Sequence, residues 1–207
     1  MESRVYRLLV AFCTFACVVL PLRAQSSDKE AAEKLLCGME SAMAALGCYE
    51  VQFDVVAEGY SVVGRYVVNG TDFYLAADDV ELFVADGVKY EVNATKREIM
   101  VDGVESLGSD IVSNPTRGFT ALLKDYVAES AEYEGRRAVR LIPRDGSGSS
   151  ERILIVADVE GRMPAQIRYI SSEGAIDVHL KSVSKWSELL PRFVREKYAD
   201  YELVDFR

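Results

Sequence analysis

Histidine, tryptophan, proline and long apolar runs are all scarce in this 207-residue chain. It holds one histidine, one tryptophan and five prolines. A lone histidine, with no cysteine pair at ligand spacing, leaves a structural zinc site without support. His179 also falls between Asp177 and Lys181 on the polar side of an alternating stretch, where a solvated role is the expectation. The Gly146–Ser150 run lacks the strand-to-helix setting of a phosphate loop or nucleophile elbow and reads as a hairpin. Carboxylates are many, but they gather in turns, where aspartate belongs for backbone reasons. No catalytic residue, metal ligand or cofactor is therefore expected. Excess positive charge is missing too: the net charge is −9. Such a chain has no electrostatic reason to seek nucleic acid or an anionic bilayer.

The longest apolar stretch, from Leu8 to Leu20, is too short for a comfortable membrane span. Arg4 and Arg7 precede it, and Pro21 and Ala24 follow. That order is the pattern of an export signal, with cleavage expected after Ala24. The rest, 25–207, suits one domain that can bury a core unaided. Four cysteines are present, and only Cys37 and Cys48 lie beyond the signal segment. A helix running between them would hold them on the order of 15 Å apart, whereas a bridge needs Cα atoms within about 7 Å. Two free, mostly buried thiols are expected.

What the chain does have is strands. Tyr60–Val68, Phe73–Ala77, Val80–Ala85, Val88–Ala94 and Arg97–Val101 are rich in β-branched and aromatic residues. Asn69-Gly70, Asp78-Asp79 and Asp86-Gly87 separate them, and the Asn-Gly and Asp-Gly pairs suit type I′ hairpin turns. Both faces of these strands are apolar: Tyr66 and Val68 alternate with Val67, and Leu82 and Val84 with Phe83 and Ala85. A sheet of that kind needs cover on each side. Tyr49–Ala57 alternates cleanly ahead of it. Arg136–Pro143, Glu151–Val159, Pro164–Ile170 and Ala175–Val183 supply a second run of strands, and ELVDF ends the chain.

Two helices are expected. Ser27–Leu46 opens on a capping box, Ser27 with Glu30, carries Leu36, Met39, Met43 and Leu46 at helical spacing, and stops at Gly47. A shorter one starts at Asn114-Pro115 and carries Phe119, Leu122, Leu123 and Tyr126. The fold class is mainly β with helices: an unclosed antiparallel sheet or open barrel.

The order of these parts resembles the LolA-like outer-membrane lipoprotein carriers. The likeness rests on a signal segment, an amphipathic helix, the Gly64–Leu75 strand pair, Asp86-Gly87 before Tyr90-Glu91-Val92, Asn114-Pro115 and the closing YELVDFR. It implies a half-barrel of roughly eleven strands whose helices act as a lid over an apolar concavity. It further implies a periplasmic carrier of acylated lipoproteins or lipid, working between an inner-membrane exporter and an outer-membrane acceptor, near membranes only transiently; the alternatives on the same fold are a shuttle for another lipid and a periplasmic sensor or partner-binding module. In this reading the sheet's convex side is covered by the N-terminal helix and its concave side holds cargo. Tyr66, Val68, Phe73, Leu75, Leu82 and Val84 are the candidate wall, and Phe119, Leu122, Leu123 and Tyr126 the candidate lid. One family feature is missing. The turn between the second and third strands, where better-known carriers place a latch arginine, is Asn69-Gly70, and Arg65 lies in the preceding strand instead.

Overall fold

The computed structural model describes residues 20–107, 114–144 and 152–207, with side chains from residue 28 onward. Residues 1–19, which carry most of the export-signal reading, and the 145–150 hairpin lie outside the described residues.

A helix, α1 (Leu20–Ala44), precedes a run of six strands: β1 (Tyr49–Ala57), β2 (Tyr60–Asn69), β3 (Asp72–Ala77), β4 (Val80–Ala85), β5 (Val88–Asn93) and β6 (Glu98–Gly103). A short 3-10 helix, Phe119–Lys124, leads into β7 (Tyr126–Tyr133), β8 (Arg136–Pro143), β9 (Arg152–Ala157), β10 (Pro164–Ser171) and β11 (Gly174–Lys185). A further 3-10 turn, Arg195–Tyr198, comes before β12 (Glu202–Asp205). The twelve strands form one sheet, in the order β12-β6-β5-β4-β3-β2-β1-β11-β10-β9-β8-β7. The result is an unclosed half-barrel under a helical lid. It has one strand more than expected, and its outermost strand, β12, runs parallel to β6 while every other pair is antiparallel.

Local chemistry explains most of the hairpins. Asp86 and Gly87 both take positive φ, at 53° and 79°, between paired Ala85 and Val88, as a type I′ turn requires. Asn69-Gly70 differs from expectation. Asn69 pairs with Asp72, so the central residues are Gly70 and Thr71, and of the two only Gly70 has positive φ.

The helices depart further from the sequence reading. Helix α1 runs through Ser27, which therefore does not cap it, and ends at Ala44 rather than Leu46. Gly47, at φ +72°, then reverses the chain. Cys37 and Cys48 are free as expected, but Cys37 is exposed and Cys48 half-buried. Asn114 and Pro115 open no helix. The 3-10 turn begins after Gly118, and the Asn114 side chain accepts from the Thr116 hydroxyl instead. Tyr126 belongs to β7, not to the lid.

The two faces of the sheet are covered by different parts of the chain. On the inner face Val51, Phe53, Val68, Phe73, Val84, Val139, Leu141 and Ile155 meet Ala32, Leu36, Met39 and Met43 of α1. On the outer face of β3–β6, Tyr74, Phe83, Val92, Ile99 and Val101 lie under Leu190, Phe193, Tyr198 and Tyr201. The expectation that α1 covers the convex side is thus overturned. The helix lies on the same face as the candidate wall, and the chain between β11 and β12 does the outer covering. With both faces apolar, alternation alone could not say which cover takes which side.

Candidate functional site

The inner face is largely filled by the protein's own side chains. Phe73 is fully buried, and Val84 and Leu122 are each only 2% exposed. Space remains at one end, where the last turn of α1, the β2–β3 turn and the 115–119 segment enclose a cavity of about 430 Å³. That lies within the ~300–1,000 Å³ common for small-molecule pockets.

Its apolar lining comes from Met43, Val68, Phe119 and Ile167, and its polar lining from Glu40, Cys48, Tyr49, Tyr66 and Arg117. Ala44, which is exposed, stands at the helix-side rim. Burial pushes the Tyr49 phenol up to about 12, with nearby Glu40 adding to the effect. Burial raises Tyr66 still further, with Tyr49 contributing. Both phenols are therefore neutral at physiological pH and present hydroxyls, not charges, to whatever occupies the space.

The cover is held at both ends. Glu40 of α1 accepts a hydrogen bond from the Thr120 backbone N–H at 2.8 Å, satisfying a donor at the start of the 3-10 turn. A charged acceptor on a terminal N–H is among the stronger hydrogen bonds. Gly118 makes the approach possible, since a Cβ there would meet the Glu40 carboxylate at 2.3 Å. At the other end Arg144 donates twice to the Leu123 carbonyl, through Nε at 3.2 Å and Nη2 at 3.0 Å. Phe119 and Leu122 between these points face the inner core.

Of the residues expected in the site, Tyr66, Val68 and Phe119 line the cavity. Phe73, Leu75, Leu82, Val84, Leu122, Leu123 and Tyr126 belong to the surrounding core instead. Glu40, Tyr49, Arg117, Arg144 and Ile167 are additions that the sequence pattern does not single out. Glu40 leaves one signal there, a carboxylate three residues before Met43 on the buried side of an amphipathic helix. Arg65 does not supply the missing latch. It reaches Glu50 at 3.2 Å, and Glu50 alternates along β1 with the inward-facing Val51.

No family model matches this chain, and no curated protein matches it. Among solved structures, a conserved protein from Thermus thermophilus superposes with a TM-score of 0.53 at 8% identity, over 84% of this chain and 99% of that one. At that identity the likeness speaks to the fold alone. LprF from Mycobacterium bovis gives a TM-score of 0.41 at 14% identity, covering 79% of this chain and 96% of that one. A LolA superfamily protein from Nitrosomonas europaea gives 0.38 at 8%, covering 81% and 96%. Both scores are too low to support inference. No helix among the described residues is long and apolar enough to cross a membrane.

Proposed function

We propose that this protein is a periplasmic carrier that shelters the acyl chains of lipoproteins, or of another lipid, in its half-barrel. In this role it takes cargo from an inner-membrane exporter to an outer-membrane acceptor. The observation that carries the reading is the cavity of about 430 Å³, walled on one side by the 115–119 segment and adjoining the apolar inner face. The motif order described above supports it, since the fold is the one that resemblance implies. An acyl chain gains about 0.8 kcal/mol per buried methylene, so a C16 chain left in water costs ~12 kcal/mol. A soluble carrier must offer equivalent apolar surface.

With Phe119 and Leu122 seated on the inner face, the cavity is the unloaded form, and a full chain enters by displacing that turn. Besides the burial of those two side chains, the turn is tethered by Glu40 and Arg144, so its opening leaves the strand ladders intact.

Displacement of a fluorescent fatty acid by a triacylated lipopeptide, measured on the full protein, tests the reading. Ala44→Trp fills the rim without touching the core and is expected to weaken binding about tenfold, near 1.4 kcal/mol, with the circular dichroism of the sheet unchanged. Phe119→Asp with Leu123→Asp is expected to abolish loading. Binding unchanged in both variants would remove the cavity from the mechanism.

A further inference from the structure

The outer face of β3–β6 is covered, but on the outer face of β7–β10 no described element lies over the strands. Its apolar centre is small, with Ala138, Leu154 and Val156 buried and Ala131 and Tyr133 beside them. Arginines ring this centre. Leu154 pairs across the sheet with Arg140 on one side and Arg168 on the other, and Arg152 stands two residues before it on the same face. Together with Tyr133 and Ile170 they line a trough of about 780 Å³.

Three guanidinium groups and one carboxylate, Glu132, line the trough, a local excess of positive charge in the lining of a chain whose net charge is −9. The available carboxylates neutralise it loosely. Glu129 stands 3.9 Å from Arg140 and Asp177 3.7 Å from Arg168. Arg152 is exposed and has no ion pair or hydrogen bond among the described residues. Arg168 is held in place by donating to the Tyr133 hydroxyl at 2.7 Å, which fixes its direction before anything binds.

We propose that this trough docks an extended, acidic segment of a partner protein, with carboxylates and apolar side chains taking turns along the one face it presents. Strand spacing puts Arg140 and Arg168 roughly 9.5 Å apart, and Arg152 lies roughly 6.8 Å along from Leu154. An extended peptide repeats its side chains on one face at about that second interval. Carboxylates can therefore reach the guanidinium groups, which suit bidentate pairing, while apolar side chains meet Leu154 and Ile170. A concave trough receives a protruding segment better than a flat bilayer. The molecule's overall negative charge opposes an anionic membrane at distances where a short segment feels only the local field.

Fluorescence anisotropy of a labelled peptide repeating Glu-Ser-Leu-Ser, which sets glutamate and leucine in turn on one face of an extended chain, titrated with the full protein, tests this. Binding is expected to fall at least about tenfold in R140Q/R152Q/R168Q, a few-fold in R152Q alone, and steeply as salt is raised. The matching Lys-Ser-Leu-Ser peptide is expected not to bind. The single variant removes an exposed side chain that has no partner among the described residues and so keeps the test valid if the triple variant misfolds. Equal affinity in wild type and R152Q, absence of peptide binding, or sedimentation with phosphatidylglycerol vesicles that R152Q abolishes would each overturn the proposal. The inference is independent of the cavity: A44W is expected to bind the peptide as the wild type does.

Discussion

Gly118 and Glu40 form the tightest residue-level coupling at the site. Gly118 has φ of −61°, a conformation open to any residue, so its value is space, not backbone freedom. Gly118→Ala is expected to push the Glu40 carboxylate aside and break its bond to Thr120. The cost is about 1–2 kcal/mol, or a fall of roughly 2–8 °C in Tm for a chain of this size. In an E40A background the same change should cost nothing, because the lost bond is already gone. A double-mutant cycle by thermal denaturation reads that non-additivity.

Tyr49 sets a pH dependence on the same scale. Its folded value near 12 lies above the ordinary 10. The folded state therefore holds its proton where the unfolded chain has lost it. Stability from this group is complete below pH 10 and is lost as pH rises towards 12. Melts between pH 9 and 12 should decline less steeply in Tyr49→Phe, with Tyr74, also pushed to about 12 by burial and its bond to Glu81, accounting for part of the remainder.

Among the elements, the covering segment between β11 and β12 depends on one ring. Phe193 stacks on Tyr90 at 4.2 Å and on Tyr198 at 5.6 Å, nearly parallel to both. Glu81 on β4 anchors the same cluster by accepting from the Tyr198 hydroxyl at 2.7 Å and the Tyr74 hydroxyl at 2.5 Å. Phe193→Ala is expected to cost ~2–4 kcal/mol. Amides of β6 and β12 should exchange faster in that variant while those of β8–β9 stay protected, a contrast that hydrogen exchange resolves.

This segment is also the least legible part of the chain. Leu189, Leu190, Phe193 and Val194 recur at a spacing of three and four that suits a helix, yet no helix forms there before the 3-10 turn Arg195–Tyr198, so nothing local announces a cover. The strands are legible because hairpin chemistry is local, and Asp86-Gly87 states its turn in two residues. The 119–126 stripe misleads for a physical reason. Spacing of three and four fits a 3-10 turn followed by the first residue of a strand as well as it fits one α-helix. Tyr126 takes on the look of a lid residue for that reason alone. At the cavity, Tyr66, Val68 and Phe119 can be found from apolar alternation. Glu40 and Arg144 cannot, because their roles rest on contacts between residues 80 and 21 positions apart.

For the whole molecule, the faces divide the labour. In the proposed role the inner face with α1 and the 119–124 turn forms the cargo side. The outer face is half covered by the chain's own tail end and half left as an arginine-lined trough. Loading and docking are thus open to separate mutation, and A44W and R152Q should each leave the other's readout untouched.

One feature of the sheet has a mechanical consequence. Its margins, β12 and β7, lie at opposite ends of the strand order and share no ladder. A closed barrel has its bore set by strand number and stagger, whereas this sheet can uncurl by twisting while every existing ladder stays intact. In the proposed carrier, girth would then follow the bulk of the cargo, and guests of unequal thickness would fit without rupturing a backbone hydrogen bond.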